Sequence, residues 1–96
     1  MRFDWDPAKE EENRIKHGIS FGEATALFTS GADYLEIPDE KHSEDEDRLI
    51  AIGPIHRGVV MVVFTERLEQ TIRIISARRA TKTEIRLYNE HLKEKS

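Results

Sequence analysis

Five arginines carry most of the chemistry this sequence can offer. Arg67 falls in a turn, Arg73 within a strand and Arg78-Arg79 at a strand-to-helix junction, with Arg48 opening an earlier strand. Guanidinium suits a phosphodiester because its planar fork gives two parallel hydrogen bonds to one anion. Antiparallel strands can bring these positions to one end or face of a sheet. Taken singly, each arginine would serve equally in a surface ion pair worth about 0–1 kcal/mol. Lys16-His17 closes a first helix, where cations complement the helix dipole and bond its last carbonyls. The same pair could move a proton or touch a phosphate. His42 and Glu46, four apart, could share a metal on a helical turn, but their stretch is acidic and shows no third ligand. His56 and His91 read as turn and surface residues. Tyr88 reads as core with a hydroxyl near the sheet edge, and Trp5 packs on the first helix rather than stacking a base. Phosphate-loop, nucleophile-elbow and dinucleotide motifs do not occur. The lack of cysteine excludes thiolate zinc sites and Cys nucleophiles.

These residues need a scaffold, and 96 residues supply one domain, 1–96, with a modest core. Apolar residues make up 38% and charged residues 35%, which is charged for a globular chain but sufficient to fold. The longest apolar run, Val59 to Phe64, is a buried strand and too short to cross a bilayer. No basic segment followed by an apolar stretch opens the chain, so a soluble cytoplasmic protein without a signal peptide is expected. The net charge of −4 divides unevenly. Residues 1–47 hold five basic against fourteen acidic side chains, and residues 48–96 hold ten against five. Either the halves neutralise each other in the fold, or the second presents a surface to an anionic partner.

The patterning predicts an α+β domain of order β-α-α-β-β-β-β-α: an antiparallel β-sheet with two N-terminal helices and one C-terminal helix. Phe3-Asp4-Trp5 alternates as an edge strand. Asp6-Pro7 caps and opens a helix that stops at Gly18 and packs through a thin stripe, Ala8 and Ile15. Ser20 to Glu23 matches a capping box for a short helix burying Phe21, Ala24, Leu27 and Phe28. Tyr34 to Ile37 is a strand broken by Pro38. Asp39 to Asp47 is an acid-rich solvated loop. Strands follow at Arg48–Ile52, Val59–Thr65 and Gln70–Ser76. Gly53-Pro54 with His56-Arg57-Gly58 makes one turn between them, and Glu66 to Glu69 the next. The middle strand is apolar on both faces and should be central. A second capping box, Thr81 to Glu84, opens the last helix with Ile85, Tyr88 and Leu92 inward.

Trp5-Asp6 with Lys9, Asn13 through Phe21 with Ala24, His42-Ser43 with Glu46 and Arg48, Thr65 with Arg67, Arg73 through Ala80, and Glu84 with Tyr88 form one ordered set along nearly the whole chain. On these residues the chain resembles the BrnT toxins of bacterial type II toxin–antitoxin systems. The KHGISF and RIISARRA blocks are the specific ones. The resemblance implies a compact RelE-like fold and an endoribonuclease that needs no metal or other cofactor and inhibits translation by cutting RNA. It also implies a ribbon-helix-helix antitoxin as partner, with promoter DNA reached only through that antitoxin, and no membrane.

Cutting RNA without a metal needs a base for the 2′-OH, cations for the charge that builds on phosphorus, and an acid for the 5′-oxygen. On this reading Arg48, Arg67 and Arg78 bind and stabilise the phosphate, and Lys16 or His17 handles a proton. Arg79 steers RNA from the rim, with Arg73 beside it as an RNA contact. The acidic 39–47 loop should point away from the site or move, or its acids hold the arginines in place in the free toxin. The alternative is a non-catalytic binding module or co-repressor subunit that acts through a DNA-binding partner.

Overall fold

The computed structural model describes residues 1–42 and 46–95; Ser43, Glu44 and Asp45 of the acidic loop lie outside the described residues. The elements are β1 (Arg2–Asp4), α1 (Pro7–His17), α2 (Phe21–Ala24), α3 (Ala26–Thr29), β2 (Leu35–Pro38), β3 (Arg48–Ile55), β4 (Gly58–Arg67), β5 (Thr71–Arg79) and α4 (Lys82–Glu94), with a 3₁₀ turn at Glu40–His42. The strands form one sheet in the order β1-β5-β4-β3-β2. The α+β class and the sequence of five strands are those the pattern predicts, but a third short helix precedes β2 and the sheet is not antiparallel throughout. Pairing is antiparallel from β2 to β5. The short edge strand β1 joins β5 in parallel, Phe3 opposite Ile72.

Helix ends follow their local chemistry. Asp6 Oδ1 accepts from Ala8 N at 2.9 Å, Pro7 begins α1, and Gly18 closes it at φ 73°. Thr81 and Glu84 make the reciprocal capping box of α4. Ser20 Oγ accepts from Glu23 N at 3.0 Å, but the predicted single helix is split at Thr25. There the Thr25 hydroxyl donates to Gly22 O at 2.7 Å, local bonding that competes with a continued helix.

β4 is central and buried on both faces, as its composition requires. Val60, Val62 and Phe64 meet Ile19, Phe21, Ala24 and Leu27 on the face covered by α1 to α3. Met61 and Val63 meet Ile52 and Tyr88 on the other face. Phe28 stands edge-on to Phe64 at 5.0 Å and to Tyr34 at 5.4 Å, and Trp5 edge-on to Phe21 at 6.1 Å. The Tyr88 hydroxyl donates to Asp33 O at 3.0 Å and ties α4 to the start of β2.

Two further expectations are corrected. Gly53 and Pro54 are inside β3, and only His56-Arg57 turns the hairpin, since Ile55 already pairs with Gly58. Pro54 is tolerated because β2 pairing ends at Ile52, so no partner strand needs its missing N–H. Gly53 fits because a Cβ there would sit 2.7 Å from Leu27 Cδ1 and Tyr34 Cβ. The second correction concerns α1, whose Ile15 is 72% exposed while Asn13 is buried. α1 lies along the open edge of β5 beyond β1, where backbone groups need a polar partner more than an apolar one. Asn13 Nδ2 donates to Ala77 O at 2.7 Å and to Ile19 O at 2.9 Å, and its Oδ1 accepts from Ala77 N at 3.1 Å. One side-chain amide thus replaces a missing strand.

Candidate functional site

The site begins with a register irregularity. Phe64 pairs with Ile74 and Val63 with Ser76, so Ile75 is an extra residue, a β-bulge. Directly paired residues project on the same side of a sheet. The bulge therefore puts Arg73 and Ser76 on one face although their spacing in a regular strand would oppose them. Three cross-strand rows result on the face toward α4: Arg48–Thr65–Arg73, Ile50–Val63–Ser76 and Ile52–Met61–Arg78. Arg67, two residues beyond Thr65, shares that face. Arg79, opposite Val60, projects from the other.

Three adjoining depressions all include Ile75 and Ser76, so they make one groove across the part of the sheet that α4 leaves open. The middle one, about 420 Å³, holds Arg48 and Arg73 with Lys9 of α1. One end is lined by Lys9, Lys16 and His17 along α1. The other end carries Asp39, His42 and Arg48 over Met61 and Val63. Sequence reasoning treated Lys9, Asn13 and Thr65 only as parts of the family motif and did not single out Ser76. A polar Asn on the inward side of an otherwise charged helix was the one signal pointing to α1's true contact.

Each arginine of the face meets a carboxylate. Arg67 Nη2 donates to Glu46 Oε2 at 2.9 Å and its Nε to the buried Thr65 Oγ1 at 3.2 Å. Arg48 Nε stands 3.7 Å from the other Glu46 oxygen. Arg73 Nη1 donates to Asp4 Oδ2 at 2.6 Å. Arg48, Arg67 and Arg73 are therefore brought together around Thr65. Arg78 stands apart: Met61 and Thr65 are four residues along β4, about 13 Å by the strand rise. Its guanidinium clasps Glu84 with both amino groups, at 2.8 and 2.9 Å. That pairing holds the Glu84 carboxyl below its ordinary value of 4.5, against a smaller opposing effect of burial. Arg79 donates to Arg57 O at 3.0 Å, and Arg57 in turn to Gly18 O at 2.7 Å, beside the end of α1.

His42 and Glu46, the couple considered for a metal, have separate engagements. His42 Nδ1 lies 3.2 Å from both oxygens of Asp39, and Glu46 serves the arginines. No group of three or more His, Asp or Glu positioned to hold a metal occurs among the described residues.

A family model described as "Ribonuclease toxin, BrnT, of type II toxin-antitoxin system" matches residues 5–84. The chain belongs to the BrnT toxin family. The crystal structure of the Brucella abortus ribonuclease toxin BrnT, solved at 1.1 Å, is similar with a TM-score of 0.63 and 28% identity. The likeness covers 85% of this chain and 99% of that one. No curated protein sequence matches. Membership in a BrnT family implies an antitoxin partner and ribonuclease chemistry. No helix among the described residues is long and apolar enough to cross a membrane.

Proposed function

We propose that this BrnT-family chain is a metal-independent endoribonuclease that cuts RNA in the open groove and thereby stops translation. The observation that carries the reading is the meeting of Arg48 and Arg73 with Lys9 of α1 in one depression, on the sheet face that also carries Arg67. Such a cluster is suited to hold a phosphodiester and to stabilise the charge that builds on phosphorus. Arg48 and Arg73 grip the scissile phosphate, with Arg67 beside them through the shared Glu46. Lys16 or His17, at the α1 end, transfers a proton. Arg79 and Arg57 steer RNA from outside the groove. Arg78 acts from its own row, where its clasp on Glu84 also anchors α4. A ribbon-helix-helix antitoxin would neutralise the toxin, and promoter DNA would be reached only through it.

The test uses the purified chain and a labelled RNA in excess EDTA. Products ending in 2′,3′-cyclic phosphate are expected, and complete inhibition by the chelator would sink the metal-independent reading. Arg48→Ala and Arg73→Ala are each expected to lower cleavage by about 10²–10³-fold, the scale of losing one placed charge donor, and to relieve growth arrest on expression. Two variants as active as the parent would remove the groove from the mechanism.

The second reading, a co-repressor without catalysis, draws on the carboxylate partners of Arg67, Arg73 and Arg78. Groups already paired can serve folding or antitoxin binding alone. Expression of the chain without a partner separates the two: a co-repressor leaves growth unchanged.

A further inference from the structure

We propose that His42 is the general base that takes the 2′-hydroxyl proton of the RNA held by Arg48, an assignment that rests on the ribonuclease reading above. Three observations carry it. His42 lines the same depression as Arg48, whereas His17 lines the opposite end and shares only Ile75 and Ser76 with it. The distance between His42 and Arg48 is set by backbone, since Asp39 N donates to Arg48 O at 2.9 Å and His42 N to Asp39 O at 3.3 Å. The ring is also oriented: its Nδ1 faces both oxygens of Asp39 at 3.2 Å. An ionised carboxylate only accepts hydrogen bonds, so Nδ1 carries the hydrogen and the neutral ring keeps its lone pair on Nε2. This is the orientation a base needs, with a carboxylate fixing the tautomer from behind. The imidazole is 63% exposed, open to substrate, while the Asp39 carboxyl is 12% exposed.

The step balances without a metal. Nε2 takes the 2′-OH proton as the 2′-oxygen bonds to phosphorus. The bond from phosphorus to the 5′-oxygen breaks with its electron pair, and that oxygen takes a proton from the Lys16–His17 end of the groove. The products are a 2′,3′-cyclic phosphate and a 5′-hydroxyl, and both protein groups then re-equilibrate with water.

The experiment compares the parent chain with His42→Gln on one RNA, reading cleavage rate and RNA affinity separately. The expected result is a rate lower by about 10²–10⁴-fold with the dissociation constant within threefold of the parent. His42→Gly should regain part of the rate when imidazole is added. An RNA whose 5′-bridging oxygen is replaced by sulfur, a leaving group that needs no proton, should remain slow with His42→Gln. Full recovery on that substrate would make His42 an acid and overturn the assignment. A parent that cuts and a His42→Gln chain that cuts within threefold of it would overturn this inference alone. A parent that cuts no RNA would overturn the ribonuclease reading and this inference with it. Thermal unfolding of His42→Gln should match the parent, given the exposure of the ring.

Discussion

Glu46 joins two of the arginines on the groove's face of the sheet. One carboxylate serves two guanidiniums, bonding Arg67 at 2.9 Å and standing 3.7 Å from Arg48. A phosphate arriving between those arginines must compete with it. The pair is a third to a half exposed, so water screens it and its strength lies below about 1 kcal/mol. Glu46→Gln is therefore expected to tighten RNA binding up to about fivefold, as measured by fluorescence anisotropy at fixed salt. A weaker complex would mean that the carboxylate positions the arginines instead of competing for them. Acids of the 39–47 loop were expected to turn away from the site or to hold the arginines. Of those described, Glu46 does the second, and Asp39 supports His42.

At the scale of elements, the bulge at Ile75 and the Asn13 amide act together. The bulge re-phases β5 so that Arg73 and Ser76 share a face, and it breaks the ladder locally. Two residues on, Asn13 satisfies both backbone groups of Ala77 and fixes α1, with Lys9, Lys16 and His17, against that edge. Replacing the amide leaves Ala77 N–H and C=O buried and unpaired, a cost of about 2–3 kcal/mol. Asn13→Ala is expected to lower the unfolding midpoint by roughly 10 °C or more and to reduce cleavage through a shifted α1. A midpoint within about 2 °C of the parent would show that water replaces the amide. Asn13→Asp should fare no better, because it lacks the donor that Ala77 O and Ile19 O receive.

For the whole molecule, the division of charge is bridged in part by ion pairs across the fold. Asp4–Arg73, Glu23–Arg57, Glu46–Arg67 and Asp33–Lys95 each link an acid of the first half to a base of the second. Stability should follow pH accordingly. Hydrogen bonds from Arg78 and Arg57 hold the Glu84 and Glu23 carboxyls below their ordinary 4.5. Depressed acids contribute stability above the unfolded value and lose it as pH falls through the folded one. The unfolding midpoint should thus drop as the pH falls below about 4.5, and Glu84→Gln should shallow that drop while lowering stability at pH 7. A midpoint unchanged down to pH 3 would contradict this. Glu36 opposes the trend, raised by burial and by Glu66. With RNA the groove cations remain the contact, so affinity should fall with salt at a logarithmic slope near −0.7 per phosphate engaged. Arg73→Ala should reduce the slope by about one such step, and an unchanged slope would place Arg73 off the RNA.

The succession of strands, the helix caps at Asp6, Gly18 and Thr81, and the central place of β4 were legible in the chain, because propensity, capping and hydrophobic period are local properties of neighbouring residues. Strand ends were less so: β5 runs on to Arg79, and Gly53-Pro54 sits in β3, since pairing across the sheet decides where a strand stops. That arginines could meet was readable from their types. Which ones meet was not, because a single extra residue at Ile75 inverts the facing of everything beyond it, and no local rule on RIISARR announces that insertion. Nor could spacing show that a polar Asn13, rather than Ile15, turns inward, since the partner it completes lies sixty-four residues away. Facing and long-range partnership belong to register, and register exists only once the strands have paired.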